Sequence, residues 1–267
     1  LNVVYDDENS QKFQALGKRT LEEAAKMASA VDVRMLTQSR LATNITNGII
    51  HAFKEYDASE IIMGLHEKKT DGDKFWGIFT PDLVNQLNRQ IILCRCNRPL
   101  NTLRRILVAV PSRVEFEQGF YRWIERLARL AENLSCRIIF HGRIESTSLI
   151  NEYIRNQHPG VRAEYVLMEH WKEFTQLAQQ MSSDHMLVVI SARQGTVSYK
   201  PVFERLPLEL YRHYHEHNLM VVFPDQNGQS PEDMTFTAPQ HHSVDSAYSS
   251  IVNWVMNKID KGRSDAS

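Results

Sequence analysis

The stretch Ile61-Ile62-Met63-Gly64-Leu65-His66-Glu67-Lys68-Lys69, continuing through Gly72 and Gly77 to Thr80, gathers the residue types that hold phosphate groups. An apolar run ending in glycine lets the backbone approach a ligand closely. Lysine and histidine supply charge or hydrogen bonds, and a helix start offers free N–H donors. Thr80-Pro81-Asp82 reads as that helix start: threonine can cap, proline tolerates the first helical position, and aspartate suits the first turn. Gly64, His66, Lys68, Gly77 and Thr80 are therefore the candidate ligand contacts. Their spacing is neither that of a P-loop nor that of the dinucleotide fingerprint, which argues against kinase-like and dehydrogenase-like chemistry.

Other clusters carry less. Cys94 and Cys96 lie two positions apart in an extended apolar run and should face one side of a strand as small hydrophobes; no further ligands sit at metal spacing. With Cys136 they make an odd, sparse set that suits a reducing compartment. His213, His215 and His217 fall in a helical pattern where only His213 and His217 share a face, too few for a metal centre. No stretch supplies a nucleophile with its base, two tuned carboxylates or an open metal site at diagnostic spacing, so the sequence does not read as an enzyme. A net charge of -1 and a pI near 6.9 give no general field for nucleic acid. The longest apolar runs are far shorter than the roughly 20 residues that cross a bilayer.

The elements that would position these residues follow from periodicity. Strands are expected at 1–5, Asp32–Thr37, Ser59–Gly64 and Gln90–Cys96, with helices at Ser10–Ala30 and Asn44–Tyr56, the latter capped by Asn44. After a linker around Pro99, strands are expected at Arg104–Val110, Cys136–His141, Val161–Leu167, Met186–Ile190 and Leu219–Phe223. Helices at Glu115–Asn133, Ser146–Asn156, Met168–Met181 and Glu204–His217 alternate with them, and Arg193–Lys200 reads as a solvated connection. The second half has five strand–helix steps. The first repeats the cycle without its opening strand and helix, an internal repeat. Alternation of this kind implies open, largely parallel α/β sheets, with ligand sites beyond the carboxyl ends of the strands. The expected organisation is a first unit at 1–98, a linker at 99–103, a second unit at 104–226, and a loop with an amphipathic C-terminal helix at 227–267, where Val244, Ala247, Ile251, Val255 and Ile259 recur at helical spacing.

A strand, Met63-Gly64, His66, a loop, Gly77, a helix and a closing apolar strand resemble the signature end of universal stress protein domains. The nucleotide-binding pattern of that family is Gly, two residues, Gly, nine residues, Gly, then Ser or Thr. Gly64 and Gly77 match it, whereas Glu67 and Ile78 stand at the other two positions. Thr80 is the nearest substitute for the hydroxyl, and Glu67 adds negative charge where a phosphate would sit. The second half resembles the family in the order of its elements, with Ser191, Gln194, Glu204 and Arg205 at the motif positions and Pro111 where the base-contacting Asp is usual. The resemblance implies a fold of two tandem universal-stress-type units and, as a possible ligand, an adenine nucleotide, with Tyr5 and Asp6 lining a base pocket. It extends to the C-terminal cytoplasmic regions of bacterial sodium:proton antiporters. That extension implies a non-catalytic regulatory domain, attached to an upstream transmembrane transporter domain of a bacterial inner-membrane protein and able to homodimerise. The opening Leu1-Asn2-Val3-Val4-Tyr5, already strand-like, fits an excerpt of such a polypeptide. The alternative implied is a free-standing tandem universal stress protein.

Overall fold

The structure, a computed structural model, describes residues 1–65, 75–77 and 79–226. The expected loop and helix of 227–267 lie outside the described residues. The chain divides into two compact units: the described residues of 1–59 and 78–83, and those of 60–77 and 84–226. The division falls inside the first half of the sequence rather than at Pro99, because the last strands of that half belong to the large sheet of the second.

In the first unit, β1 (Asn2–Tyr5) pairs in parallel with β2 (Ser39–Ala42), and α1 (Ser10–Ser29) and α2 (Ile45–Glu55) accompany them. The β2 strand lies later than the Asp32–Thr37 run expected. Helix α1 ends in a turn in which Asp32 takes a left-handed φ of 56°, and the apolar Val31, Val33 and Leu36 that suggested a strand are exposed. The N–H of Asn2 donates to the carbonyl of Gln38, which sets pairing from the next residue onward. Helix α2 begins as expected: the Asn44 side chain accepts a hydrogen bond from the N–H of Asn47 at 3.0 Å. By contrast, α1 buries none of its residues and leaves Phe13, Leu16 and Met27 open to solvent.

The second unit is built on β3 (Glu60–Gly64), β4 (Gln90–Arg95), β5 (Arg105–Ala109), β6 (Arg137–Gly142), β7 (Ala163–Leu167), β8 (His185–Ile190) and β9 (Asn218–Phe223). Their order is β3-β4-β9-β8-β5-β6-β7, and every neighbouring pair is parallel except β4 and β9. Strands β5 and β8 are continuous apolar runs, buried along nearly their whole length, as parallel strands covered on both faces require. Helices α4 (Phe120–Asn133) and α5 (Ile144–Gln157) supply Trp123, Ile124, Leu127, Ile150 and Ile154 to the same core, each fully burying side chain contributing roughly 1.5–3 kcal/mol. The remaining helices are α3 (Thr80–Gln86) and α6 (Leu206–Tyr214).

Comparing the halves shows what differs. In the second half the first strand, β5, sits between β6 and β8. Its counterpart is missing among the described residues of the first half, so β1 pairs only with β2 and β3 only with β4. The last strands of the two halves, β4 and β9, meet antiparallel from Ile91 opposite Phe223 to Arg95 opposite Leu219. Glu60, opening β3, strengthens the junction by accepting from Gln90 at 2.9 Å and pairing with Arg126 of α4 at 2.8 Å.

Three helices depart from expectation. Residues Trp171–Gln180, expected as α-helix, run as successive 3₁₀ turns in which His170 and Glu173 cap each other reciprocally. The expected Glu115–Asn133 helix is split into a 3₁₀ turn at Val114–Phe116 and α4. Gly119 sits at the break because the backbone of Asp225 passes so close that a Cβ there would lie 2.3 Å from its oxygen. Helix α6 ends at Tyr214, so His215 and His217 follow it rather than lie on it.

Candidate functional site

Parallel α/β sheets bind ligands beyond the carboxyl ends of their strands, which directs attention to the loops after β3, β5, β6 and β8.

After β3, Gly64 is exposed and a Cβ built on it would meet nothing within 4 Å, so open space lies beside the backbone. The chain turns back at once, the Leu65 N–H donating to the Cys94 carbonyl at 2.7 Å and the Leu65 side chain becoming buried. His66 and Lys68 lie outside the described residues. Gly77 takes a φ of 76°, a left-handed conformation that favours glycine, directly after Trp76, whose ring meets Phe223 edge-on at 5.8 Å. Thr80 is the first residue of α3 and not its cap, because the Phe79 carbonyl accepts from the Leu83 N–H at 3.1 Å. It is also buried. Tyr5 and Asp6, at the end of β1, are exposed, the Asp6 N–H donating to the Ala42 carbonyl at 3.1 Å. They and Thr80 belong to the first compact unit, whereas Gly64 and Gly77 belong to the second. Cys94 is half-buried, its thiol pushed up to about 12 by burial and by Cys96, and Cys96 stands exposed just past β4.

After β8 the loop is not a solvated connection. The Ser191 N–H donates to the Val222 carbonyl at 2.8 Å, and Ala192, Arg193 and Ser198 are buried. The Arg193 guanidinium fills the interior of this corner. Its Nε donates to the Val84 carbonyl at 3.2 Å, one terminal nitrogen to the Arg89 carbonyl at 2.5 Å, and the other to the Pro224 carbonyl. Burial pulls its pKa down to about 10, with Asp225 and Glu117 acting in the opposite direction, so it is fully charged at neutral pH. Buried Asp225 in turn pairs with Arg122. Glu117 accepts from both the N–H and the hydroxyl of Ser198, at 3.0 and 2.6 Å. Where the resemblance places ligand-facing glycines, this half has a charged network that ties the loop after β8 to the segments flanking β4 and β9.

The serine–carboxylate pairs nearby are of the same kind. The Ser146 hydroxyl donates to Glu115 at 2.5 Å with Ser146 wholly buried, and Ser198 is buried beside Glu117. His141, ending the apolar part of β6, is buried, and its pKa is lowered by that burial. None of these groups is both open to solvent and paired as an activated nucleophile would be.

What the sequence pattern missed is a set of cations at the same edge. Arg113, past β5 and in a left-handed φ of 67°, and Arg143, just past β6, both act on Lys200 in the loop after β8. The Lys200 amine is lowered first by burial and then by Arg143 and Arg113. Arg143 also pairs with Glu169 at 3.4 Å. Only the parallel topology brings these three loops together; the usable signal was a basic residue soon after each strand end.

No protein-family model matches the chain, and no curated protein matches it. Among solved structures it is similar to a universal stress protein from Archaeoglobus fulgidus DSM 4304, at 14% identity and a TM-score of 0.53, with 82% of this chain and 84% of that one covered. It is also similar to the cytoplasmic domain of a prokaryotic cation chloride cotransporter, at 9% identity and a TM-score of 0.50, with 84% of each covered. At such identities the likeness establishes architecture: the chain has a mixed α/β fold of the universal stress protein kind, with a mostly parallel central sheet.

Proposed function

We propose that the chain is the cytoplasmic regulatory domain of a cation transporter, a sodium:proton antiporter, and performs no catalysis of its own. The observation that carries this reading is the apolar surface of the first unit. Helix α1 buries nothing, and Phe13, Leu16, Met27, Val31, Val33 and Leu36 are all exposed, as on a module made to lie against another protein surface. The upstream membrane domain of the same polypeptide, or a second copy, would cover it. Among the described residues no helix is long and apolar enough to cross a membrane, so any translocation pathway belongs elsewhere. The fold shared with the cytoplasmic domain of a cation chloride cotransporter supports the same reading. Regulation requires only that the domain, or its ligand, interact differently with two transporter states.

The test is sodium-driven proton movement in everted membrane vesicles carrying the intact antiporter polypeptide or the same polypeptide without residues 1–226. A shift in the pH or sodium dependence on removal supports regulation. Identical curves, with equal amounts of transporter in the membrane, overturn it.

A second reading, adenine-nucleotide binding by a free-standing protein, is favoured by the cation group of Arg113, Arg143 and Lys200, which stands at a carboxyl edge where phosphates bind in such sheets. Thermal unfolding with ATP, ADP and AMP tests for the nucleotide: a ligand at 100 times its Kd stabilises by about 2.7 kcal/mol. No shift with any of the three removes the nucleotide from either reading.

A further inference from the structure

The opposite edge of the large sheet has its own concentration of charge. Strand β5 opens with Arg105 and is preceded by Arg104, β6 opens with Arg137, and Arg162 immediately precedes β7. In the parallel register Arg105 stands directly beside Arg137, and the Ile138 N–H donates to the Arg162 carbonyl at 3.0 Å, which fixes the third position alongside. The four arginines, with Leu103 and Ser135, line a cavity of about 290 Å³.

Like charges at directly opposed strand positions are unfavourable unless an anion offsets them. Two of the four have one. Arg137 pairs with Glu164 at 2.7 Å and Arg104 with Asp184 at 3.5 Å. Among the described residues, neither Arg105 nor Arg162 has a carboxylate within salt-bridge distance. Arg162 is oriented all the same, donating to the carbonyl of Ser135 at 2.6 Å, where the chain leaves α4 in a left-handed φ of 51°. The field extends to the next strand: the pKa of His185, opening β8, is lowered by burial and also by Arg105, against the pull of Asp184. An edge with two guanidinium forks that no carboxylate offsets, one of them oriented by a carbonyl, beside Ser135 and an open cavity suits the multidentate hydrogen bonding that phosphate oxygens accept. The cavity is at the small end for whole cofactors, which points to a single phosphate group as the part recognised.

We propose that this amino-edge cavity binds a phosphate group, with Arg105 and Arg162 as its principal ligands and Arg104, Arg137 and the Ser135 hydroxyl completing the shell. The site is distinct from the carboxyl-edge cations and does not depend on the regulatory reading. The phosphate is either a free or soluble phosphate or the headgroup of an anionic lipid, and two arms of one experiment tell these apart.

The full 267-residue chain, its R105Q/R162Q variant and a control that loses the same charge elsewhere, R155Q/R212Q, are compared. All four altered side chains are exposed, so folding should be retained, which circular dichroism and the melting temperature verify. In the first arm inorganic phosphate is titrated by calorimetry. In the second the proteins are co-sedimented with vesicles of phosphatidylcholine alone or mixed with phosphatidylglycerol. Binding in either arm that falls about 30-fold in R105Q/R162Q and is unchanged in R155Q/R212Q supports the site, the figure following from roughly 1 kcal/mol per arginine at an anionic surface. Phosphate binding identifies a soluble ligand, and binding only to phosphatidylglycerol vesicles identifies a lipid. No binding in either arm, or equal loss in both variants, overturns the proposal.

Discussion

Replacing Arg193 with methionine tests whether the corner after β8 is a structural clamp. Methionine fills a similar volume without charge, so the space stays occupied while three carbonyls, those of Val84, Arg89 and Pro224, lose their donor. Hydrogen bonds from a charged donor contribute about 1.5–3 kcal/mol each, and removing one partner of a buried charged network costs about 3–5 kcal/mol, because these losses do not add. Glu117 and buried Asp225 also lose a nearby cation, although Arg122 remains on Asp225. An overall loss of about 4 kcal/mol is expected, which lowers the melting temperature by about 8–16 °C in a unit of this size. Thermal unfolding followed by tryptophan fluorescence measures the total. Amide exchange at Gln226, whose N–H donates to the Asn88 carbonyl at 2.7 Å, locates it, since the clamp holds both of those chain segments. Arg193→Lys keeps the charge but lacks the fork that reaches three carbonyls at once, so it should recover less than half of the loss. A melting temperature within about 2 °C of wild type for Arg193→Met, with Gln226 exchange unchanged, would show that the carbonyls find other partners and that the corner is not held by Arg193.

Two further outcomes are expected. The Glu125 carboxyl is held down at about 2, first by its hydrogen bond to His158 at 2.5 Å and also by Arg129 and Tyr153, with burial acting the other way. A folded value below the ordinary 4.5 means that this stabilisation is complete above about pH 4.5 and is lost as the pH falls toward 2. Urea midpoints should therefore drop more steeply across that window in wild type than in Glu125→Gln, with the variant about 1 kcal/mol less stable at pH 7; parallel profiles would contradict the assignment. Gly119→Ala places a Cβ 2.3 Å from the Asp225 oxygen and 2.6 Å from its nitrogen, so it should cost about 1–3 kcal/mol, whereas Gly64→Ala, with open space beside it, should stay within about 0.5 kcal/mol of wild type. Melting temperatures of the two variants measured side by side decide this.

The features legible in the sequence are those set by neighbours along the chain. The alternation of apolar strands with amphipathic helices, the Asn44 cap and the buried runs of β5 and β8 all depend on residues within a few positions of one another. The strand misplaced to Asp32–Thr37 shows the limit: Val31, Val33 and Met35 alternate as a strand would, yet they and Leu36 are exposed. Ser39–Ala42, only half apolar, pairs with β1 instead, its backbone in register from Asn2 opposite Ser39 to Tyr5 opposite Ala42. Likewise, the apolar spacing of Trp171, Phe174 and Leu177 fits three residues per turn nearly as well as 3.6, so periodicity alone did not separate 3₁₀ from α winding there. Of the candidate loop, Gly64 and Gly77 are marked locally in the sequence, and there the backbone has open space beside Gly64 and a positive φ at Gly77. Arg193 carries none, since the carbonyls it binds are contributed by residues 31 to 109 positions away.

That difference follows from how a parallel sheet assembles the residues at its edges. The edge residues of a parallel sheet are brought together by register, so a change of one residue at a strand end alters a cluster drawn from the whole sheet. At the carboxyl edge of β8, an arginine two residues after Ser191 fills the corner, because the carbonyls of Arg89, just before β4, and Pro224, just after β9, both accept from it. At the amino edge, arginines at the first positions of β5 and β6 and just before β7 are enough to make a cationic cavity, because parallel pairing places them side by side. Neither change disturbs the apolar interior of the strands, which sets the fold. The mixed α/β architecture shared at 14% identity rests on that interior, whereas the clusters at both ends of the strands are set by residues outside it.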